Sequence, residues 1–129
     1  MNQPEVILIV DDEEYFRDIF SLKLKSLGYT VETAENGRQG IERAKAIKPD
    51  LVLMDVQMPE MDGTQALMEI RDDPEIKDLK VVFLTGLGES TAERQQTDVT
   101  FAKQAGATGY IKKTEDLDTV IAKIKQFLK

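Results

Sequence analysis

The chain has no cysteine and no histidine. The first absence rules out disulfides, thiolate metal sites and a cysteine nucleophile. The second removes the commonest general base, the commonest transition-metal ligand and any phosphohistidine supplied by the chain to itself. Positive charge is also in short supply. There are 17 Lys and Arg against 24 Asp and Glu, a net charge of −7, with no large basic block. A domain with that balance does not grip nucleic-acid phosphates by itself. Long hydrophobic runs are missing too. The longest lies around Val6 to Val10, far too short to span a bilayer, and no signal peptide precedes it.

What is present is enough for a core. Apolar residues make up 41% of the 129, which excludes disorder and fits one compact domain over 1–129. Any chemistry must run on carboxylates, hydroxyls, lysines and backbone amides. That set suits a hard, oxygen-liking cation such as Mg²⁺.

Short β-rich runs recur: "EVILIV" (5–10), "TVETA" (30–34), "LVLM" (51–54), "KVVFLT" (80–85) and "GYI" (109–111). Segments with helical spacing lie between them. Phe16, Ile19, Phe20, Lys23, Leu24 and Leu27 form one stripe, with Gly28 placed to cap its end. Ile41, Ala44 and Ile47 form a second, stopped by Pro49, and Ala66, Leu67 and Ile70 a third, ahead of Pro74. Leu117, Val120, Ile121, Ile124 and Leu128 form the last. In the polar stretch 86–100, Ser90 and Glu93 have capping-box spacing, which favours a helix from there over one starting near Asp98. Strand and helix alternate five times, predicting a doubly wound α/β fold. The first and third strands, apolar almost throughout, belong at the centre of its parallel sheet.

In such sheets ligands bind beyond the carboxyl ends of the strands. Here the first strand ends in Asp11 and Asp12, the third in Asp55 and the fourth in Thr85, and the fifth leads to Lys112 and Lys113. Taken singly, each residue has an ordinary explanation. Asp11 or Asp12 caps the next helix, Asp55 orders a turn, Thr85 caps, and Lys113 is solvated. Taken together they point to a site. Two carboxylates about 5 Å apart repel by roughly 3 kcal/mol at an effective dielectric near 20, so three in one pocket call for a cation and a lysine.

The stretches "ILIVDDEEYFRDIF", "DLVLMDVQMPEMDG", "VVFLTG" and "AGATGYIKK" resemble those of response-regulator receiver domains, the phospho-acceptors of two-component signalling. The resemblance covers the whole chain. It implies a flavodoxin-like (βα)5 fold with a five-stranded parallel sheet in the order 2-1-3-4-5. It implies that Asp55 is phosphorylated, that Asp12 binds Mg²⁺ directly and Asp11 mainly through water, and that the Gln57 backbone carbonyl is a further ligand. Thr85 then bonds the phosphoryl group, Lys113 neutralises it, and Tyr110 is the switch aromatic. Gln57 and Leu87 are expected beside the attacking water.

The implied donor is a sensor histidine kinase or histidine phosphotransfer protein. Output goes to a separate protein or a fused effector domain through the face around the fourth helix, fifth strand and fifth helix. A cytoplasmic location is expected, with no direct nucleic-acid or membrane contact, as a monomer or a phosphorylation-dependent dimer. Such a domain catalyses only its own phosphorylation and dephosphorylation.

Two departures stand out. Thr114 replaces the proline usual after the lysine, and the stretch between Thr85 and Ala105 is longer than is common. A cis peptide costs roughly 2.5–4 kcal/mol before a non-proline residue, so Lys113–Thr114 is expected to be trans, with Lys113 still reaching the pocket. The 86–100 segment is expected to be mobile and to respond to phosphorylation. Three other readings compete. A haloacid-dehalogenase-type enzyme resembles D-x-D at its first strand, whereas here the acidic pair is adjacent. A nucleotide-binding module is suggested by "TGLGEST", but Thr91 occupies the third glycine position. The last is a receiver-like interaction domain not regulated by phosphorylation.

Overall fold

The computed structural model describes residues 3–85 and 106–129. β1 (Val6–Val10), β2 (Thr30–Ala34), β3 (Leu51–Asp55), β4 (Val81–Thr85) and β5 (Gly109–Lys112) form one sheet in the order β2-β1-β3-β4-β5, with every pairing parallel. Helices α1 (Glu14–Ser26), α2 (Gly37–Ile47), α3 (Gly63–Asp72) and α4 (Leu117–Leu128) complete the described elements. The expected order and the central place of β1 and β3 are borne out, and β4 is buried just as deeply. The helix expected from Ser90 or Asp98, and Leu87, lie outside the described residues.

Strand alternation divides the core into two layers. Ile7, Ile9, Leu51, Leu53, Val82 and Leu84 face α1 and α4. Leu8, Val10, Val52, Met54, Val81 and Phe83 face α2 and α3. Burial on both faces explains why these strands read as continuous apolar runs. Among the described residues no helix is long and apolar enough to cross a membrane.

Local chemistry sets the element ends that frame the rim of the sheet. Past α1, Gly28 adopts φ 98°, with the Gly28 N–H donating to Lys25 (3.0 Å) and the Tyr29 N–H to Leu24 (3.2 Å). That is the Schellman pattern, and only glycine takes this φ without strain. The helix therefore ends before Leu27, which is 42% exposed instead of continuing the apolar stripe. Asp62 caps α3 in a reciprocal box with Gln65. A Cβ at Gly63 would lie 2.4 Å from the Asp55 carbonyl oxygen, so glycine lets α3 start directly against the end of β3.

Candidate functional site

β1 and β3 are adjacent, so their carboxyl ends bring Asp11, Asp12 and Asp55 together at the reversal of strand order. One carboxylate oxygen from each falls in a group within 4.8 Å of one another. Asp11 and Asp55 are buried and Asp12 is exposed. Asp11 is anchored by the Glu13 N–H, which donates to its Oδ1 at 2.9 Å. Neither Asp11 nor Asp12 is the N-cap of α1. Glu13 holds that position, without a side-chain cap bond.

Lys113 closes the pocket. Its backbone N–H donates to the Thr85 carbonyl at 2.8 Å, extending the β4–β5 ladder by one residue. Its Nζ lies 2.6 Å from Asp11 Oδ2, 2.7 Å from Glu13 Oε1 and 3.3 Å from Asp55 Oδ2, with the side chain 8% exposed. The ammonium also sits 4.6 Å from the centroid of the Phe16 ring, which stacks on Phe20. No cis peptide occurs among the described residues, so Lys113–Thr114 is trans as expected, and the lysine reaches the pocket without the proline. Lys112 instead pairs in register with Thr85.

One lysine does not balance three carboxylates. Burial pushes Asp55 up to about 7, and the Asp11 charge adds to it, against the opposing pull of Lys113 and the Gln57 N–H. Burial also raises Asp11, more than Lys113 and the Glu13 N–H lower it. Burial disfavours the Lys113 ammonium, but the close Asp11 and Glu13 carboxylates and the Asp55 charge outweigh it and raise its pKa. Although Asp11 Oδ2 is close to Nζ, it has no hydrogen bond of acceptable direction and is left as an orphaned buried acceptor. An unsatisfied buried oxygen within an all-carboxylate set is the donor chemistry that a hard divalent cation takes. The residues present therefore fit Mg²⁺.

The remaining expected residues are placed as follows. Thr85 is half-buried at the end of β4, its hydroxyl making a long 3.5 Å contact with the Ile111 carbonyl. Gln57 follows β3, and its N–H donates to Asp55 Oδ1 at 3.2 Å. Tyr110 on β5 is half-buried against the α2–α3 core layer.

Two contributors escaped sequence reading. Glu13 has no motif that marks it as a lysine partner. The "MPEMDG" run also has internal roles. Met58 enters the core, Glu60 takes φ 68° beneath a 2.7 Å Met61 N–H to Pro59 carbonyl bond, and Met61 packs so closely on Gly37 that a Cβ there would lie about 3.0 Å from it. An open cavity of about 400 Å³ beside Asp12 is lined by Glu14, Arg17, Glu35, Asn36, Pro59 and Glu60.

Comparison with known proteins agrees with this geometry. The family model described as the response regulator receiver domain matches residues 7–125. The chain is 39% identical over 123 residues to the chemotaxis protein CheY of Bacillus subtilis, covering 95% of this chain and 96% of that one. It is 32% identical over 123 residues to the DNA-binding dual master transcriptional regulator RpaA of Synechocystis, covering 95% of this chain but only 48% of RpaA. The solved CheY-like receiver domain protein of Methanospirillum hungatei superposes with a TM-score of 0.80 at 30% identity, covering 97% of this chain and 94% of that one. With an acidic cluster and a lysine at the carboxyl rim of a 2-1-3-4-5 sheet, the chain belongs to the response regulator receiver domain family of two-component signalling.

Proposed function

We propose that this receiver domain accepts a phosphoryl group on Asp55 from a phosphohistidine of another protein, with Mg²⁺ bound beside it. The observation that carries the proposal is Lys113 Nζ bridging the buried Asp11 and Asp55 carboxylates at 2.6 and 3.3 Å. A carboxylate oxygen of Asp55 attacks phosphorus, the P–N bond to the donor imidazole breaks with its electron pair leaving on nitrogen, and an acyl phosphate forms. The absence of histidine in this chain supports a donor outside it.

Asp11, Asp12, Asp55 and the Gln57 carbonyl would hold the cation, which supplies positive charge to keep Asp55 ionised and to offset charge on the phosphoryl oxygens. Lys113 is buried and fixed at its backbone, so its ammonium is preorganised to neutralise the same oxygens. The Gln57 N–H orients Asp55 Oδ1. Thr85 reorients its weakly held hydroxyl toward the phosphoryl group, and Tyr110 on the neighbouring strand follows, altering the surface around β5 and α4. That surface is the output face toward a partner or a fused domain. Because the chain spans about half of RpaA and nearly all of CheY, both arrangements have family precedent in length. We place the domain in the cytoplasm as a single unit over 1–129. The trans Lys113–Thr114 bond leaves the lysine in place, so Thr114 gives no support to a receiver that has lost phosphorylation.

Incubation with Mg²⁺ and acetyl phosphate, followed by intact mass measurement, tests the reading. Wild type should gain one phosphoryl group and Asp55→Asn none. Equal uptake by the two, or no uptake by wild type, would refute it.

A further inference from the structure

The Lys113 ammonium has three N–H donors, and three carboxylates surround it: Asp11 at 2.6 Å, Glu13 at 2.7 Å and Asp55 at 3.3 Å. The Phe16 ring at 4.6 Å borders it as well. A further anion arriving at Asp55 must therefore compete with these three for the ammonium. They are not equally easy to displace. The Asp11 and Asp55 side chains are 0% and 7% exposed, so releasing either strands a charge in the interior. The Glu13 side chain is 65% exposed and returns to water at little cost. Its backbone stays pinned by the N–H bond to Asp11 Oδ1. Glu13 is thus tethered beside the lysine while its carboxylate is free to leave.

We infer that Glu13 is a releasable counter-ion for Lys113, a positioning residue that holds the ammonium in the resting state and competes with the phosphoryl group for it. The inference rests on the Asp55 acceptor reading and adds a residue that sets how strongly the acceptor retains its group. Within the site the Glu13 side chain bonds only the lysine, and its backbone bond to Asp11 survives substitution, so removing its charge frees the lysine for Asp55.

The test is a double-mutant cycle with beryllofluoride, in Mg²⁺, as the phosphoryl mimic and calorimetry as the readout. Glu13→Gln, which keeps the shape and the backbone, should bind the mimic about two- to fivefold tighter than wild type, the range expected for loss of an exposed ion pair. In a Lys113→Met background, which keeps the buried stem, the same substitution should change nothing. Should that background fold or bind poorly, a salt titration decides. The ratio of wild-type to Glu13→Gln affinity should approach one as ionic strength screens the exposed pair. Equal or weaker binding by Glu13→Gln, a gain that persists without Lys113, or a ratio indifferent to salt would each overturn the inference. The acceptor reading fails separately, in wild type that binds no mimic and takes up no phosphoryl group.

Discussion

On the outer surface between α2 and α3, Lys45 meets Asp73 at 2.9 Å, and at the rim of the sheet Lys113 meets Asp55 at 3.3 Å. The side-chain chemistry is the same, yet the two aspartates respond in opposite directions. The Lys45 hydrogen bond, helped by the Glu75 N–H, holds Asp73 below the usual carboxylate range. Burial and the Asp11 charge push Asp55 up to about 7 in spite of its lysine. Water and stoichiometry explain the difference. The surface pair is one cation for one anion in solvent, whereas the rim gathers more carboxylates than cations in a drier place. An ion pair by itself is therefore a poor marker of function. A buried surplus of one sign is a better one, because something must arrive to balance it.

The strongest way to break the comparison is to remove each lysine. Lys113→Ala strips the only cation within contact of two buried carboxylates among the described residues and should cost about 3–5 kcal/mol at pH 8 without Mg²⁺. Urea denaturation would measure it. Acidification toward pH 5 should recover part of the loss, since Asp55, raised to about 7, then takes up a proton. A cost below about 1 kcal/mol would place Lys113 with ordinary surface lysines.

Next in size is the pH dependence. The folded-state pKa of Asp55 is raised to about 7 from a reference near 3.9, so the folded state holds that proton more tightly. The stability this contributes is fully present below about pH 4 and is lost as pH rises through about 7. Asp55→Asn should therefore be about 2–4 kcal/mol more stable than wild type at pH 8 without Mg²⁺, and equal to it near pH 4. Parallel stability–pH curves for the two proteins would contradict the assignment.

A cation should do part of the same work. With a dissociation constant of about 1 mM, roughly 10 mM Mg²⁺ adds about 1.4 kcal/mol, a rise on the order of 3–6 °C in Tm. Asp12→Ala should remove most of that response, and a flat Tm across the titration would count against the site. The smallest effect belongs to Lys45→Ala. Lys45 is 45% exposed and its pair lies at the surface, so the denaturation midpoint should stay within experimental scatter at neutral pH.

Most of the frame was readable from the chain. The five β-rich runs, the stripes of α1 to α4 apart from Leu27, and the Gly28 stop appear in the structure at the expected places, because strand and helix periods and glycine's φ > 0 are local properties. The acidic pair, Asp55 and Lys113 were readable because strand ends in a parallel sheet converge at one rim. Glu13 was not readable. As a surface acid at the start of a helix it looks like any dipole-favoured residue until Lys113 arrives from 100 positions away.

The sequence by itself determined which side chains are available to this protein. With neither histidine nor cysteine it confined the chemistry to oxygen and lysine, and its spacing placed those groups at the ends of strands. Tertiary structure alone decided how they act on one another. Asp11, Asp12 and Asp55 have similar intrinsic acidity, but packing buries two of them and exposes the third. Charge interactions depend on distance and on surrounding water rather than on sequence separation. The raised Asp55, the orphaned Asp11 oxygen and the Glu13 hold on Lys113 therefore exist only once β1, β3 and β5 are side by side or nearly so in the folded sheet.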